Sequence, residues 1–150
     1  MSYEQLKLEN QLCFPFYAVS RLITRAYQED LDKLCITYPQ YLVLMILWEN
    51  DKVSVNDVAD KLILNTNTVT PLLKRMEVMG LLTRQQSQTD QRKVIVSLTE
   101  SGKELQHKAA AVPLNLMRKL NIELDENQQA EFLILKNQLN ALIELLKTNT

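Results

Sequence analysis

Glycine is scarce in this chain, two in 150 residues, and proline is limited to four. Long irregular loops and a large sheet are therefore not expected, and a mostly helical fold is. Histidine occurs once, at His107; with no Cys/His cluster and no grouping of carboxylates, a metal centre is not expected and neither is a cofactor. No run of about 18 apolar residues is present, which excludes a membrane-spanning helix. The first ten residues, MSYEQLKLEN, lack the basic and apolar blocks of a signal peptide. A cytoplasmic protein follows, with Cys13 and Cys35 expected as thiols in a reducing compartment rather than as a structural disulfide. What the chain does have is ordinary for a globular protein, 46% hydrophobic and 23% charged residues, and a length that suits one domain with a sizeable core.

The net charge of −1 is unevenly spread. Residues 1–60 carry five Lys/Arg against nine Asp/Glu, residues 61–93 carry six against two, and residues 94–150 carry six against seven. The middle segment is thus the only basic one, the electrostatic footprint of a surface that meets nucleic acid.

That segment also carries the clearest pattern. Val69, Leu72, Leu73, Met76 and Met79 recur at the spacing of a helix with one buried face. Asn67, Thr68, Thr70, Lys74 and Arg75 occupy the other side, donors and cations of the kind that meet base edges and phosphates. Gly80 follows where a left-handed residue would end the helix. Two alternating runs, Leu81–Arg84 and Lys93–Leu98, flank the polar segment QQSQTDQR and predict a two-stranded ribbon. The whole, from Val53 to Thr99, reads as a winged helix-turn-helix. The start of its second helix is ambiguous: Asn65 or Asn67 could cap it, and Pro71 favours a late start or a bend. Thr66 and the residues after it, at the helix start, are candidates for base contacts. Lys74 and Arg75 are candidates for phosphates. Arg92 lies beside the wing turn, suited to an adjacent minor groove. Asp90 would repel phosphate, so it is expected to pair with and orient Arg92 or Arg84.

The flanks are helical. A long amphipathic helix is predicted from about Leu8 to Leu34, burying Leu12, Phe16, Val19, Ile23, Ala26 and Leu31; Pro15 makes it start nearby or bend there. Thr37-Tyr38-Pro39 reads as a helix start and Tyr41–Trp48 as a buried helix. Lys52–Val55 suits a short strand pairing with the wing, and Ser54 with Asp57 a capping box. A helix from Thr99 runs through Leu105, Ala109 and Val112 to a kink at Pro113. Asp125 and Gln128 cap a last helix with Phe132, Leu135, Leu139, Leu142, Leu145 and Leu146 on one side. A winged unit has no internal use for such flanks. Residues 1–50 and 100–150 are therefore read as dimerisation helices around the winged unit at 53–99, making a homodimer whose two-fold axis suits a palindromic double-stranded operator.

The wing sequence Asp90-x-Arg92, with Leu98-Thr99 and Gly102 after it, resembles the signature of the MarR-family transcriptional regulators. More narrowly, LENQLCFPFY, ITYPQYLVLMILWE and TVTPLLKRME resemble the organic hydroperoxide resistance regulators. The resemblance implies a dimeric winged-helix repressor that binds DNA until it is oxidised or ligand-bound. It further implies that Cys13 senses the peroxide, with Tyr17 beside it and with Tyr27 and Tyr38 supplied by the partner subunit.

The residues bear on that expectation independently. A thiolate reacts with peroxide to give a sulfenic acid, and a helix N-terminus favours a thiolate. Tyr17 lies one turn beyond Cys13 on the same face. Tyr27 is fourteen residues on, roughly 21 Å along a helix, too far to reach Cys13 within one chain. On composition alone the favoured reading is instead that Cys13 is a small buried apolar residue and the tyrosines are interface packing. Residues 100–150 contain no cysteine, whereas two-cysteine members of the family carry their second one there. Oxidised Cys13 is then expected to be capped by a small cellular thiol or oxidised further, with an intersubunit Cys13–Cys35 disulfide as the less favoured outcome. Two other effector readings stay open: release by a small phenolic or apolar ligand, and a thiol-based global regulator. An enzyme is not expected, since a thioredoxin-like peroxidase would alternate strands and helices.

Overall fold

A computed structural model describes residues 3–121 and 125–149. Two short 3-10 turns, Glu4–Leu6 and Leu8–Asn10, lead into α1 (Cys13–Lys33) and α2 (Tyr38–Glu49). Then come β1 (Val53–Ser54), α3 (Val55–Leu62), α4 (Thr66–Val78), β2 (Leu82–Gln86) and β3 (Val94–Leu98). The chain closes with α5 (Glu100–Ala109), α6 (Val112–Lys119) and α7 (Glu126–Asn149). The three strands form one antiparallel sheet in the order β1-β3-β2, with Val96 of β3 facing both Val53 and Arg84. Met1–Pro113 and Leu114–Thr150 are two separate compact units.

The core of the first unit is built where helical apolar stripes converge. Val43, Leu44 and Leu47 of α2 pack with Val58 of α3, Val69, Leu73 and Met76 of α4, and Leu82 and Val96 of the sheet, all essentially inaccessible. Each such side chain contributes about 1.5–3 kcal/mol of transfer free energy. The helix ends are fixed by local chemistry. The Thr37 amide donates to Gln40 Oε1 at 2.8 Å, with Pro39 in the first turn of α2. The Asp57 amide donates to Ser54 Oγ at 3.1 Å and the Ser54 amide to Asp57 Oδ2 at 3.0 Å, a reciprocal capping box. Asn65 stands at the N-cap of α4, which resolves the ambiguity in its start, and Pro71 is accommodated within the helix on its exposed side. Gly80 takes a left-handed φ of +73°; its amide donates to Glu77 O and that of Leu81 to Met76 O, closing a Schellman motif.

The turn joining α3 to α4 is less comfortable. Ile63 adopts φ +55°, a conformation costing an L-residue roughly 1–2 kcal/mol. The Leu64 amide bonded to Ala59 O at 2.9 Å helps to hold it there.

Four elements meet at Gly102. The Thr99 side chain caps α5 by accepting from the Gly102 amide at 3.1 Å, and its hydroxyl donates to Gly80 O at 2.6 Å. Trp48 Nε1 of α2 donates to Gly102 O at 2.9 Å. A Cβ on Gly102 would lie 2.0 Å from Leu81 O. Leu98, Thr99 and Gly102 thus lock the end of α4, the end of the wing, α5 and α2 to one another.

The sequence expectations for the flanks need correction. Regular α1 begins at Cys13, close to Pro15, rather than near Leu8. Of its predicted buried positions only Leu31 is buried; Leu12, Phe16, Val19 and Ile23 are exposed and Ala26 is intermediate. The helix between Thr99 and Pro113 does not kink at Pro113 but ends at Ala109, and Pro113 falls in the first turn of α6 instead. In α7, whose start is capped by Asp125 Oδ1 accepting from the Gln128 amide at 2.7 Å, none of the described residues is buried. Met79 belongs to the stripe of α4 by spacing, yet it is the C-cap residue and is 42% exposed. Periodicity identifies a face that avoids water but not what covers it.

Replacing Gly102 with Ala is expected to cost about 3 kcal/mol, the upper part of the range for forcing an extra group into a packed site. Thermal denaturation would show it as a Tm lowered by roughly 10 °C.

Candidate nucleic-acid interface and thiol site

Burial of Val69, Leu72, Leu73 and Met76 turns the opposite side of α4 outward, so Thr66, Asn67, Thr68, Lys74 and Arg75 are all exposed and Thr70 is half-buried. A cleft of about 200 Å³ runs beside this face. Thr66 and Thr70 of α4, Asn56 at the start of α3, and Arg84, Arg92 and Lys93 of the wing line it. Two helix starts and three cations therefore border one groove, an arrangement that suits an anionic backbone.

The wing is held by two arginines with different tasks. Arg84 is tied down: its Nε and Nη2 donate to Glu77 Oε2 at 3.0 and 2.8 Å, and its amide donates to Glu77 Oε1 at 2.9 Å. This clamp spans the Gly80 turn and fixes the angle between α4 and β2. Sequence reading missed it, although a Glu seven residues before an Arg across a glycine turn is a usable signal. Arg92 is free at its tip, with 91% of its side chain exposed. Asp90, the partner offered by sequence reading together with the Arg84 alternative, bonds Arg92: its Oδ1 accepts from Arg92 N at 3.1 Å and Nε at 3.3 Å. The carboxylate thereby orients the guanidinium while leaving its outer nitrogens presented outward. The turn itself is closed by Ser87 N donating to Lys93 O at 2.8 Å and Lys93 N to Asp90 O at 2.9 Å.

The thiol site is divided. Cys13 is the first residue of α1 and is exposed, and Tyr17, one turn on, is 63% exposed. The N-cap residue is Leu12, which has no side-chain acceptor to offer the helix end. Far along the same uninterrupted helix, Tyr27 stacks on Tyr38 of α2 with ring centroids 5.1 Å apart, and Tyr41 joins them at 6.0 and 6.5 Å. Burial raises the pKa of Tyr27, with a smaller contribution from the neighbouring Tyr38, and burial alone raises that of Tyr38. Both phenols are therefore neutral hydrogen-bond donors at physiological pH. Within one chain, of the four predicted residues only Tyr27 and Tyr38 are in ring contact, and Cys13 and Tyr17 stand one turn apart at the other end of α1. Cys35 is exposed at φ +55°, where the Ile36 amide bonds Leu31 O at 3.1 Å to end α1.

The sequence matches the family described as transcriptional regulator SarA/Rot over residues 25–109. It is 45% identical to the organic hydroperoxide resistance transcriptional regulator of Bacillus subtilis over 137 residues, 89% of this chain and 93% of that protein. The chain belongs to the organic hydroperoxide resistance regulators of the MarR family. The regulator is also similar to AbfR of Staphylococcus epidermidis. Against the structure of reduced AbfR bound to DNA it is 39% identical with a TM-score of 0.75, over 95% of this chain and 99% of that one. Against the disulfide-formed AbfR the identity is 39% and the TM-score 0.63, over 94% and 95%. Among the described residues no helix is long and apolar enough to cross a membrane.

Two predictions follow from the wing. Arg92→Ala is expected to weaken binding to a duplex and to reduce the slope of log K against log salt by about one, as the loss of one cation from the interface does. A binding titration at several salt concentrations reads it. The Arg84 hydrogen bonds hold the Glu77 pKa below its usual value, so the clamp stabilises the fold above the unfolded glutamate pKa of about 4.3 and is lost as pH falls through the lowered value. Glu77→Gln should then denature more easily than wild type at pH 7, with the difference disappearing in strong acid.

Proposed function

We propose that this protein is a redox-sensing transcriptional repressor of the cytoplasm that binds a palindromic operator as a homodimer and releases it when an organic hydroperoxide oxidises Cys13. The observation that carries the reading is Cys13 itself: an exposed thiol in the first turn of a helix, one turn from Tyr17, in a chain that belongs to the organic hydroperoxide resistance regulators.

In the oxidation step the Cys13 thiolate attacks one oxygen of the hydroperoxide. An S–O bond forms as the O–O bond breaks, the sulfur loses two electrons to become a sulfenic acid, and the peroxide leaves as an alcohol after taking a proton. A small cellular thiol then condenses with the sulfenic acid, giving a mixed disulfide and water. The protein acts stoichiometrically, as a switch.

The dimer reading rests on apolar surface. Phe14, Phe16, Val19, Leu22 and Ile23 of α1 are exposed, and so are Phe132, Leu133, Ile134 and Leu135 of α7. Faces of this kind on long helices call for a partner, and a second copy of the same chain supplies one by two-fold symmetry. The same symmetry serves the thiol site. Tyr27 lies roughly 21 Å along α1 from Cys13, so the two can meet only between copies. One subunit's Cys13 and Tyr17 are then completed by the phenols of Tyr27 and Tyr38 from the other, donors that stabilise an anionic sulfur. On this reading the helices of residues 1–50 and 100–150 carry dimerisation and residues 53–99 carry DNA. Thr66, Asn67, Thr68 and Thr70 meet base edges, Lys74 and Arg75 meet phosphates, and Arg92, oriented by Asp90, enters the minor groove.

The deciding experiment titrates an operator fragment with reduced and cumene-hydroperoxide-treated protein. Wild type should lose operator affinity on treatment, and Cys13→Ser should bind equally well before and after. Release of Cys13→Ser by the peroxide would overturn the sensor role; release by a phenolic compound alone would favour a ligand-gated regulator.

A further inference from the structure

One buried polar side chain outside both sites touches the segments that lead to each of them. Gln40 lies in the first turn of α2, 6% exposed. Its Oε1 accepts from the Thr37 amide at 2.8 Å, the bond that closes the turn carrying Tyr38. Its Nε2 donates to Met79 Sδ at 3.3 Å, across 39 residues of sequence. Met79 is the C-cap of α4, immediately before the left-handed Gly80. A single planar amide therefore ties the tyrosine-bearing turn to the end of the reading helix. Its next neighbour, Tyr41, is 3% exposed and joins the Tyr27–Tyr38 stack, so the turn is also fixed from the aromatic side.

We propose that Gln40 is a positioning residue that couples the state of the thiol site to the orientation of α4 through its bond to Met79. This rests on the repressor reading above. The argument is one of constraint. An amide is rigid, so a shift of the Tyr38 turn must either carry Met79 with it or break one of the two bonds. Gln40 is 6% exposed, and an amide donor left unmet at such a position costs free energy. The sulfur is a weak acceptor, which suits a contact that can be made in one state and given up in another. The other contacts between α2 and the rest of the unit are apolar packing, in which Tyr41 of the first turn takes part, the Trp48–Gly102 bond, and the Lys61–Glu49 ion pair at the far end of α2; none of them holds the end of α4 by a hydrogen bond to the first turn of α2.

Two variants separate the halves of the link. Gln40→Glu keeps a cap acceptor for the Thr37 amide, since a glutamate serves a capping box, but removes the donor to Met79. Met79→Leu removes the acceptor at similar volume and leaves the α2 cap untouched. The readout is the ratio of operator Kd in oxidised and reduced protein, with intact-mass spectrometry verifying Cys13 oxidation and thermal denaturation verifying the fold. Each variant should lower the ratio by about three- to tenfold, what one net hydrogen bond is worth, with the reduced-state Kd within about twofold of wild type. The double variant should lower it no further than either single one. A ratio unchanged in Met79→Leu, or operator binding weakened equally in both redox states, overturns the coupling role and leaves a purely structural one. A wild type whose Kd does not respond to oxidation overturns the repressor reading itself, and the coupling role with it.

Discussion

The close approach of Gly102 to the Leu81 carbonyl is the constraint on which the winged unit depends. A Cβ on that residue would stand 2.0 Å from the oxygen, so only glycine lets α5 reach this position. The approach brings the Gly102 amide to the Thr99 hydroxyl and its carbonyl to the Trp48 indole. Thr99 in turn reaches the Gly80 carbonyl at the end of α4. A bulkier residue would therefore loosen the reading helix, the wing and α2 together. The Glu77–Arg84 clamp adds the second fixed angle, between α4 and β2. Between these two points the α4 surface and the wing tip are held as one rigid reader, which on the proposed function would let base contacts and minor-groove contacts be made in register.

Rigidity here has a consequence for regulation. A reader whose parts cannot move against one another can lose DNA only by moving as a whole, so in the proposed dimer control acts on the spacing or tilt of the two copies. The thiol chemistry fits that requirement because Cys13 lies outside the reader, on the helix that leads into it. A sulfur that gains one oxygen or a small thiol is a small local change. On the proposed function it becomes large if α1 and the α2 turn lever the entire reader, because packed elements shift between discrete arrangements rather than deforming gradually.

The reader was almost wholly legible in the sequence, and for physical reasons. Val69, Leu72, Leu73 and Met76 had to be buried because water would otherwise meet four large side chains on one side of a helix. Gly80 had to be left-handed, and Ser54 with Asp57 had to cap. Each of these features is local, determined within a few residues. Glu77 and Gln40 escaped notice because their partners, Arg84 and Met79, are chosen by the fold; nothing in the neighbourhood of Gln40 points to a methionine 39 residues away. Met79 misled for a related reason. It has the right spacing for the stripe, but it falls where the helix stops.

The flanking helices depart from their sequence pattern for a different reason. Phe16, Val19 and Ile23 have the spacing of buried positions, yet in a single chain they are exposed. The periodicity is real; what it describes is a face that the rest of the first unit leaves uncovered. The same holds for the candidate thiol site, where Cys13 and Tyr17 lie at one end of α1 and the Tyr27–Tyr38 stack at the other, too far apart to meet along one helix. Both anomalies have one resolution. If α1 packs against its symmetry mate, the apolar face is covered and the two half-sites are completed in the same act. Dimerisation and sensing then draw on a single interface, so the sensor exists only in the assembly that can bind a palindrome, and a monomer would have neither the chemistry nor the symmetry to respond.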